Sequence, residues 1–247
     1  ARTFWRVEYL LNALICRYAK PFVAIQDGIV MGGGIGLSSH ARHRIVTERS
    51  SLAMPETAIG LIPDVGGTWL LAHAPGALGV YLGLTGETMR AADAIHARFS
   101  DAFVPSSHLA ELKRRLCDVA AGAVEAIIAD MGQSPGDSAL AARGAAIDAT
   151  FSGASVEAIL QALAAMPGEW AQKTVTTLAT KSPKAMTLTL AAIENARVLP
   201  NLESALDVEY RLVARMFEDG EFPEGVRALI VDKDRAPKWR PPRLQDL

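Results

Sequence analysis

The sequence predicts an α/β fold over residues 1–105 joined to a helical region over residues 106–247. Three observations carry that prediction. Four short apolar runs that read as strands, PFVAIQ, HRIVTE, SLAM and DAFV, all lie before residue 105. Helical patterns separate them. Beyond that point strand signals stop, and Ala-rich amphipathic segments follow one another to Val231, broken at MGQSPGDS, FSGAS, MPGE, KSP and LPN.

In chain order, the opening ARTFWRVEYLLNALI reads as a helix with Phe4, Val7, Leu11 and Leu14 on one face, stopped by Lys20-Pro21. PFVAIQ then forms a fully apolar strand that ends at the turn signal Asp27-Gly28. A knot of three glycines, Gly32-Gly33-Gly34, precedes a helical turn from Ile35 to about Ala41. HRIVTE and SLAM follow as strands, the second closed by Pro55. PETAIGLIPDVGG is too broken by proline and glycine for a regular element and too apolar for a flexible linker, so it is expected to be an ordered, partly buried loop. Helical pieces at Thr68 to Ala74 and Gly76 to Leu84, the helix RAADAIHA and the strand DAFV complete this half. Four strands are few for a covered sheet, where about five or six are usual. The chain also opens inside a helix and without Met, so a further N-terminal segment supplying more strands is expected.

At 247 residues with half of them apolar, the chain is long enough for a sizeable core. A net charge of -2 gives no bias toward polyanions, and no stretch reaches the ~20 apolar residues of a membrane span. Neither nucleic acid nor membrane is therefore an expected partner. Cys16 and Cys117 each sit in an apolar helical pattern, which reads as two reduced core thiols and not as a metal site. A bacterial cytoplasm or a mitochondrial matrix fits that usage.

Glycines between a strand and a helix let a ligand approach the backbone with no Cβ in the way, and peptide N–H groups at the helix start then face a negative oxygen. Phosphate motifs fail here. The dinucleotide fingerprint lacks its third glycine in either register, Gly32 to Leu37 or Gly34 to Ser39, and no Gly-Lys-Ser/Thr follows. Gly36-Leu37-Ser38-Ser39-His40 misses the nucleophile elbow at its last glycine, and His40 cannot face Ser38 or Ser39 on a helix. His40 and His43 read as polar residues at a helix end and a strand start.

The broken loop holds two carboxylates in apolar surroundings, Glu56 in Met-Pro-Glu-Thr-Ala and Asp64 in Ile-Pro-Asp-Val-Gly-Gly. Burial there costs free energy unless the group is paired or its pKa rises, which suits general acid or base work. Asp64 could equally cap the helix that starts near Thr68. No helical pattern follows Glu56, so function is favoured for it.

KPFVAIQDGIVMGGGIGLSSH, SLAMPETAIGLIPDVGGTWLL, LGLTGETMRAADAIHA and FPEGVRALIVDKDRAPKW closely resemble the crotonase (enoyl-CoA hydratase/isomerase) superfamily, least so from about residue 106 to 180. The resemblance implies a crotonase-like spiral of ββα units with a helical C-terminal region. Residues 1–105 would be its α/β core, with N-terminal strands absent from this chain, and residues 106–247 would complete an acyl-CoA site. It implies that Gly33 gives one N–H of an oxyanion hole for a thioester carbonyl; such a donor is worth ~3 kcal/mol in the transition state. Hydratases of the superfamily use two glutamates. The second matches Glu56, but the first falls where this chain has Gly36.

That departure points within the superfamily to hydrolysis of a 3-hydroxyacyl-CoA thioester, foremost 3-hydroxyisobutyryl-CoA of valine catabolism. Glu56 would attack the carbonyl or activate a water, and Glu8 and Asp64 match positions that bind the 3-hydroxyl region. Lys233, with Arg235 or Lys181, would lie near the nucleotide. No metal or redox cofactor is implied, coenzyme A being part of the substrate. The second oxyanion-hole N–H belongs in the family to an upstream Ala-x-Gly-Gly-Asp turn that nothing here resembles, so a separate N-terminal piece or a homo-oligomer is a possible partner. Alternatives are an enoyl-CoA hydratase or isomerase using Glu56 alone, a non-catalytic acyl-CoA-binding subunit and, remotely, a dinucleotide-binding oxidoreductase.

Overall fold

Short apolar runs become parallel strands here because strands that recur once per turn of a spiral meet in the same direction, with a crossover between them. The structure, a computed structural model, describes all residues 1–247. Strands β1 (Val23–Gln26), β3 (His43–Val46) and β5 (Ala102–Phe103) form one parallel sheet in that order. Strands β2 (Ile29–Met31) and β4 (Ser51–Ala53) form a second parallel pair. First strands thus pair with first strands and second with second, which is the ββα pattern. Ile45 lies opposite both Ile25 and Ala102, so the middle of β3 is buried in the sheet.

All four sequence-read strands are present. The one missed is β2, only three residues long and directly before the glycine knot, whose pairing with β4 supplies the order that its sequence lacks.

The first helices are α1 (Arg2–Cys16), α2 (Gly33–Ser38), α3 (Gly67–Ala72), α4 (Leu78–Thr85) and α5 (Ala91–His96). The helical half follows as α6 (Leu109–Cys117), α7 (Val124–Met131), α8 (Ala139–Ala142), α9 (Gly144–Phe151) and α10 (Val156–Ala165). It ends with α11 (Glu169–Leu178), α12 (Pro183–Ala196), α13 (Leu202–Glu218) and α14 (Glu221–Val226). Ser155, Ser182 and Asn201 cap α10, α12 and α13 through their side chains, and these lie at the sequence breaks FSGAS, KSP and LPN. One apolar core runs from Trp5 to Met216 and takes side chains from both halves. A smaller cluster joins Ile45 and Val104 to α6 and α7.

Two expectations are corrected. Helix α1 buries Trp5, Tyr9, Asn12 and Ala13, whereas Phe4 and Val7 are more than 60 % exposed, and Leu11 and Leu14 are exposed too. The helix carries two apolar stripes at helical spacing, and the aromatic one is chosen because Trp5 and Tyr9 meet Phe217 and Tyr210 edge-on from α13. Cys16 and Cys117 are free but exposed rather than in the core. Each is the last residue of its helix, α1 and α6.

Candidate active site

Backbone geometry at the glycine knot builds the site. Gly32 has φ 52° and ψ −125°, a conformation open only to glycine, and it turns the chain from β2 into α2. The first N–H groups of a helix have no partner within it, so those of Gly33 and Gly34 are free to face a ligand. A Cβ on Gly32 would lie 3.6 Å from Glu56 Oε1, and one on Gly33 would lie 3.0 Å from Glu8 Oε1. The glycines are therefore where two carboxylates reach the backbone.

Glu56 begins a 3₁₀ turn, Glu56–Ile59, after Pro55 and is 4 % exposed. Its Oε2 is buried without a hydrogen-bond partner. Burial first, then the charges of Asp64 and Glu209, raise its pKa well above the usual carboxylate range.

Asp64, 6 % exposed, accepts a 2.6 Å hydrogen bond from the Tyr9 hydroxyl. Burial lifts it to about 7, opposed by that hydrogen bond and aided by the Glu8 charge. Glu8, one residue before Tyr9 on α1, is half-buried and raised by burial. The cap reading of Asp64 is not what the structure shows. The N-cap of α3 is Gly66, and the acceptor for its first donors is Glu209 of α13, at 2.7 Å from Gly66 N and 2.9 Å from Thr68 N.

Four of the sequence-derived residues, Glu8, Gly33, Glu56 and Asp64, thus come together. Lys233 lies apart in the exposed segment after α14, where Arg227 pairs with Asp232 and Asp234 on either side of it. That segment returns to the Glu56 loop through Trp239, whose ring would be 3.0 Å from a Cβ on Gly60. His40 ends the turn after α2, and its ring lies 2.7 Å from the Val65 carbonyl, where burial lowers its pKa to about 4. His43 starts β3.

Sequence reasoning missed Tyr9, Asn12 and Glu209. Glu209 had a signal: it falls on the apolar stripe Leu202, Leu206, Val213 and Met216 of its helix, where a charge must have a buried role. Asn12, fully buried with both amide atoms unpaired, packs against Gly36. A Cβ on Gly36 would sit 2.7 Å from Asn12 Nδ2 and 2.7 Å from Val65 Cβ. No side chain fits at 36 without displacing them.

Tyr9 also lines a cleft of about 440 Å³ between α1 and α13 with Arg6, Leu10, Leu206 and Tyr210, which neither Glu8, Glu56 nor Asp64 borders. No three His, Cys, Asp or Glu side chains are placed to hold a metal ion. No helix is long and apolar enough to cross a membrane.

The hydrogen bond from Tyr9 favours ionised Asp64, so its loss has a definite sign. Tyr9→Phe is expected to raise Asp64 above about 7, read by titrating its ¹³C-labelled carboxyl. A fall, or no change, would mean that the hydroxyl does not hold the carboxylate. The variant should lose about 1.5–3 kcal/mol of stability where Asp64 is ionised, the range for a hydrogen bond to a charged group.

A spiral of ββα units with a glycine turn at a helix start and a buried carboxylate beside it is the crotonase fold. The chain belongs to the enoyl-CoA hydratase/isomerase family, whose model it matches over residues 1–247. It is 38 % identical over 256 residues to a mitochondrial 3-hydroxyisobutyryl-CoA hydrolase of Xenopus tropicalis, covering 100 % of this chain and 66 % of that protein. The chain therefore spans just under two thirds of that relative's length. Among solved structures it is similar to a carnitinyl-CoA dehydratase from Mycobacterium thermoresistibile, at 42 % identity and TM-score 0.93 over 100 % of this chain and 70 % of the other. An enoyl-CoA hydratase from Rhodobacter sphaeroides is similar at 41 % identity and TM-score 0.92, over 100 % and 71 % of the two chains.

Proposed function

We propose that this protein hydrolyses a 3-hydroxyacyl-CoA thioester, with 3-hydroxyisobutyryl-CoA as the foremost substrate, giving the free hydroxy acid and coenzyme A. The observation that carries the reading is at residue 36. Glu56 is the one buried carboxylate against the glycine turn with a free oxygen, and the place of a second acid on α2 is filled by Asn12 and Val65. Adding water across a double bond needs an acid and a base on one water, whereas cleaving a thioester can proceed with one carboxylate.

In this reading the Gly33 N–H stabilises the oxyanion that forms when the carbonyl is attacked. Glu56 either bonds to the carbonyl carbon, giving an anhydride that water then opens, or takes a proton from the attacking water. In both routes the C–S bond breaks and the thiolate leaves and takes up a proton; the water oxygen ends in the acid, or in the Glu56 carboxyl where water opens the anhydride at the Glu56 carbonyl and the acid keeps the bridging oxygen. Glu8 and Asp64 face the 3-hydroxyl of the acyl chain. Lys233, with Arg235 or Lys181, meets the phosphates of coenzyme A as a point charge. Residues 1–105 supply the reacting groups and residues 106–247 complete the acyl-CoA site. No further cofactor is required. The similarity to a mitochondrial relative supports a matrix location, and a bacterial cytoplasm suits the same chemistry.

A second reading, hydration of an enoyl-CoA, is favoured by the names of the two similar solved structures and opposed by the closed position at Gly36. Free-thiol release from 3-hydroxyisobutyryl-CoA by the full gene product separates them. Thiol release is the expected result. Loss of enoyl absorbance without thiol release would establish the second reading instead.

A further inference from the structure

Glu56, Asp64 and Glu209 are three carboxyl groups in the interior, none more than 6 % exposed. The groups acting on them include no lysine or arginine. Glu209 is the one that the proposed chemistry leaves without a task. It is fully buried in the middle of α13, and its carboxylate accepts from Gly66 N–H, Thr68 N–H and the Thr68 hydroxyl. Gly66, the N-cap of α3, has no side chain to accept these donors itself. An apolar residue at 209 would leave the donors unpaired, so the position needs an acceptor. What a carboxylate adds to that is charge, beside two other carboxyls.

We infer that Glu209 is a positioning residue of the carboxylate site: from α13 it fixes the 64–68 turn so that Asp64 meets Tyr9 beside Glu56, and it is the third acid of a cluster that no cation pairs. The inference rests on the reading of Glu56 as the reacting carboxylate. Burial raises Glu209 itself to about 8, against the pull of its three donors, and its charge in turn raises Glu56. Around it α1 carries Glu8 and Tyr9 toward the cluster, His40 lies behind Gly66, and the cations of α1 are at the surface, Arg2 paired with Glu218 and Arg6 exposed in the α1–α13 cleft. On α12 and α14, Lys184 and Glu221 are already paired with Asp219 and Ser182.

Glu209→Gln keeps the outline and removes the charge, and its one oxygen can serve the Thr68 donors or the Gly66 N–H but not both. The acid limb of kcat/KM is expected to move to lower pH by about one unit in the full gene product, because Glu56 ionises more readily without that neighbour. Support for the turn alone would lower the melting temperature and leave the limb in place, and an unmoved limb overturns the inference. Titration of the ¹³C-labelled Glu56 carboxyl reads the same shift without turnover. Absence of thiol release in the wild type would then sink the hydrolase reading and leave this test standing. Should Glu209→Gln not fold, Glu209→Asp decides: it keeps the charge and retracts it from the donors. About tenfold lower kcat with an unmoved limb supports the positioning role, and unchanged kcat overturns it.

Discussion

Glu56→Gln is expected to abolish thiol release, by about 10³-fold or more, in a protein that is folded and at least as stable as the wild type. The loss follows from chemistry. An amide neither attacks a carbonyl nor takes a proton from water at neutral pH, and removal of an essential acid–base or nucleophilic group costs factors of about this size. The stability follows from the surroundings. Glu56 is buried with one oxygen unpaired and two carboxyls nearby, so its charge is a cost to the fold that the neutral amide lacks. Its folded pKa lies above the unfolded value, so the stability it contributes is full below about pH 4.5 and declines as pH rises toward the folded pKa. Glu56→Gln should therefore flatten the fall in melting temperature as pH rises above about 4.5, measured beside thiol release at each pH. Retained release would remove Glu56 from the chemistry, and a sharply lowered melting temperature at pH 5 would make its role structural.

How far such a site is legible depends on whether its residues announce themselves locally. Gly33, Glu56 and Asp64 do, because prolines and glycines fix their backbone and a carboxylate among apolar residues needs a reason. Tyr9 and Glu209 do not. Their partners, Asp64 and the turn after it, lie 55 and 143 residues away in sequence, and helical periodicity alone cannot say which residues will meet. The same limit explains α1. Its helix was plain in the sequence, but with apolar residues on two stripes, only the aromatics waiting on α13 decide which is buried. Strand β2 shows the converse case, since three residues acquire their conformation from pairing with β4 and not from their own propensity.

Gly36→Glu is the second large effect, and it tests whether the site can be converted to a two-carboxylate one. It should fail in two separable ways. The first is volume: the Cβ alone would come within 2.7 Å of Asn12 Nδ2 and of Val65 Cβ. The amide can swing away, but Val65 Cβ is rigidly tied to a backbone at φ 55°, so the loop itself has to move. Overpacking of this kind costs about 1–3 kcal/mol, which Gly36→Ala measures by itself as a melting temperature lower by roughly 2–12 °C. The second is charge, because a further carboxylate would enter a buried cluster that already lacks a cation. Gly36→Glu is thus expected to melt well below Gly36→Ala at pH 8 and to close part of that gap at pH 5, where the added group is neutral. Hydration of an enoyl-CoA, followed by its absorbance, should stay at background throughout. A Gly36→Glu protein that melts with the wild type and hydrates would show that Asn12 and Val65 yield freely, and that one carboxylate more is all that separates this site from a hydratase.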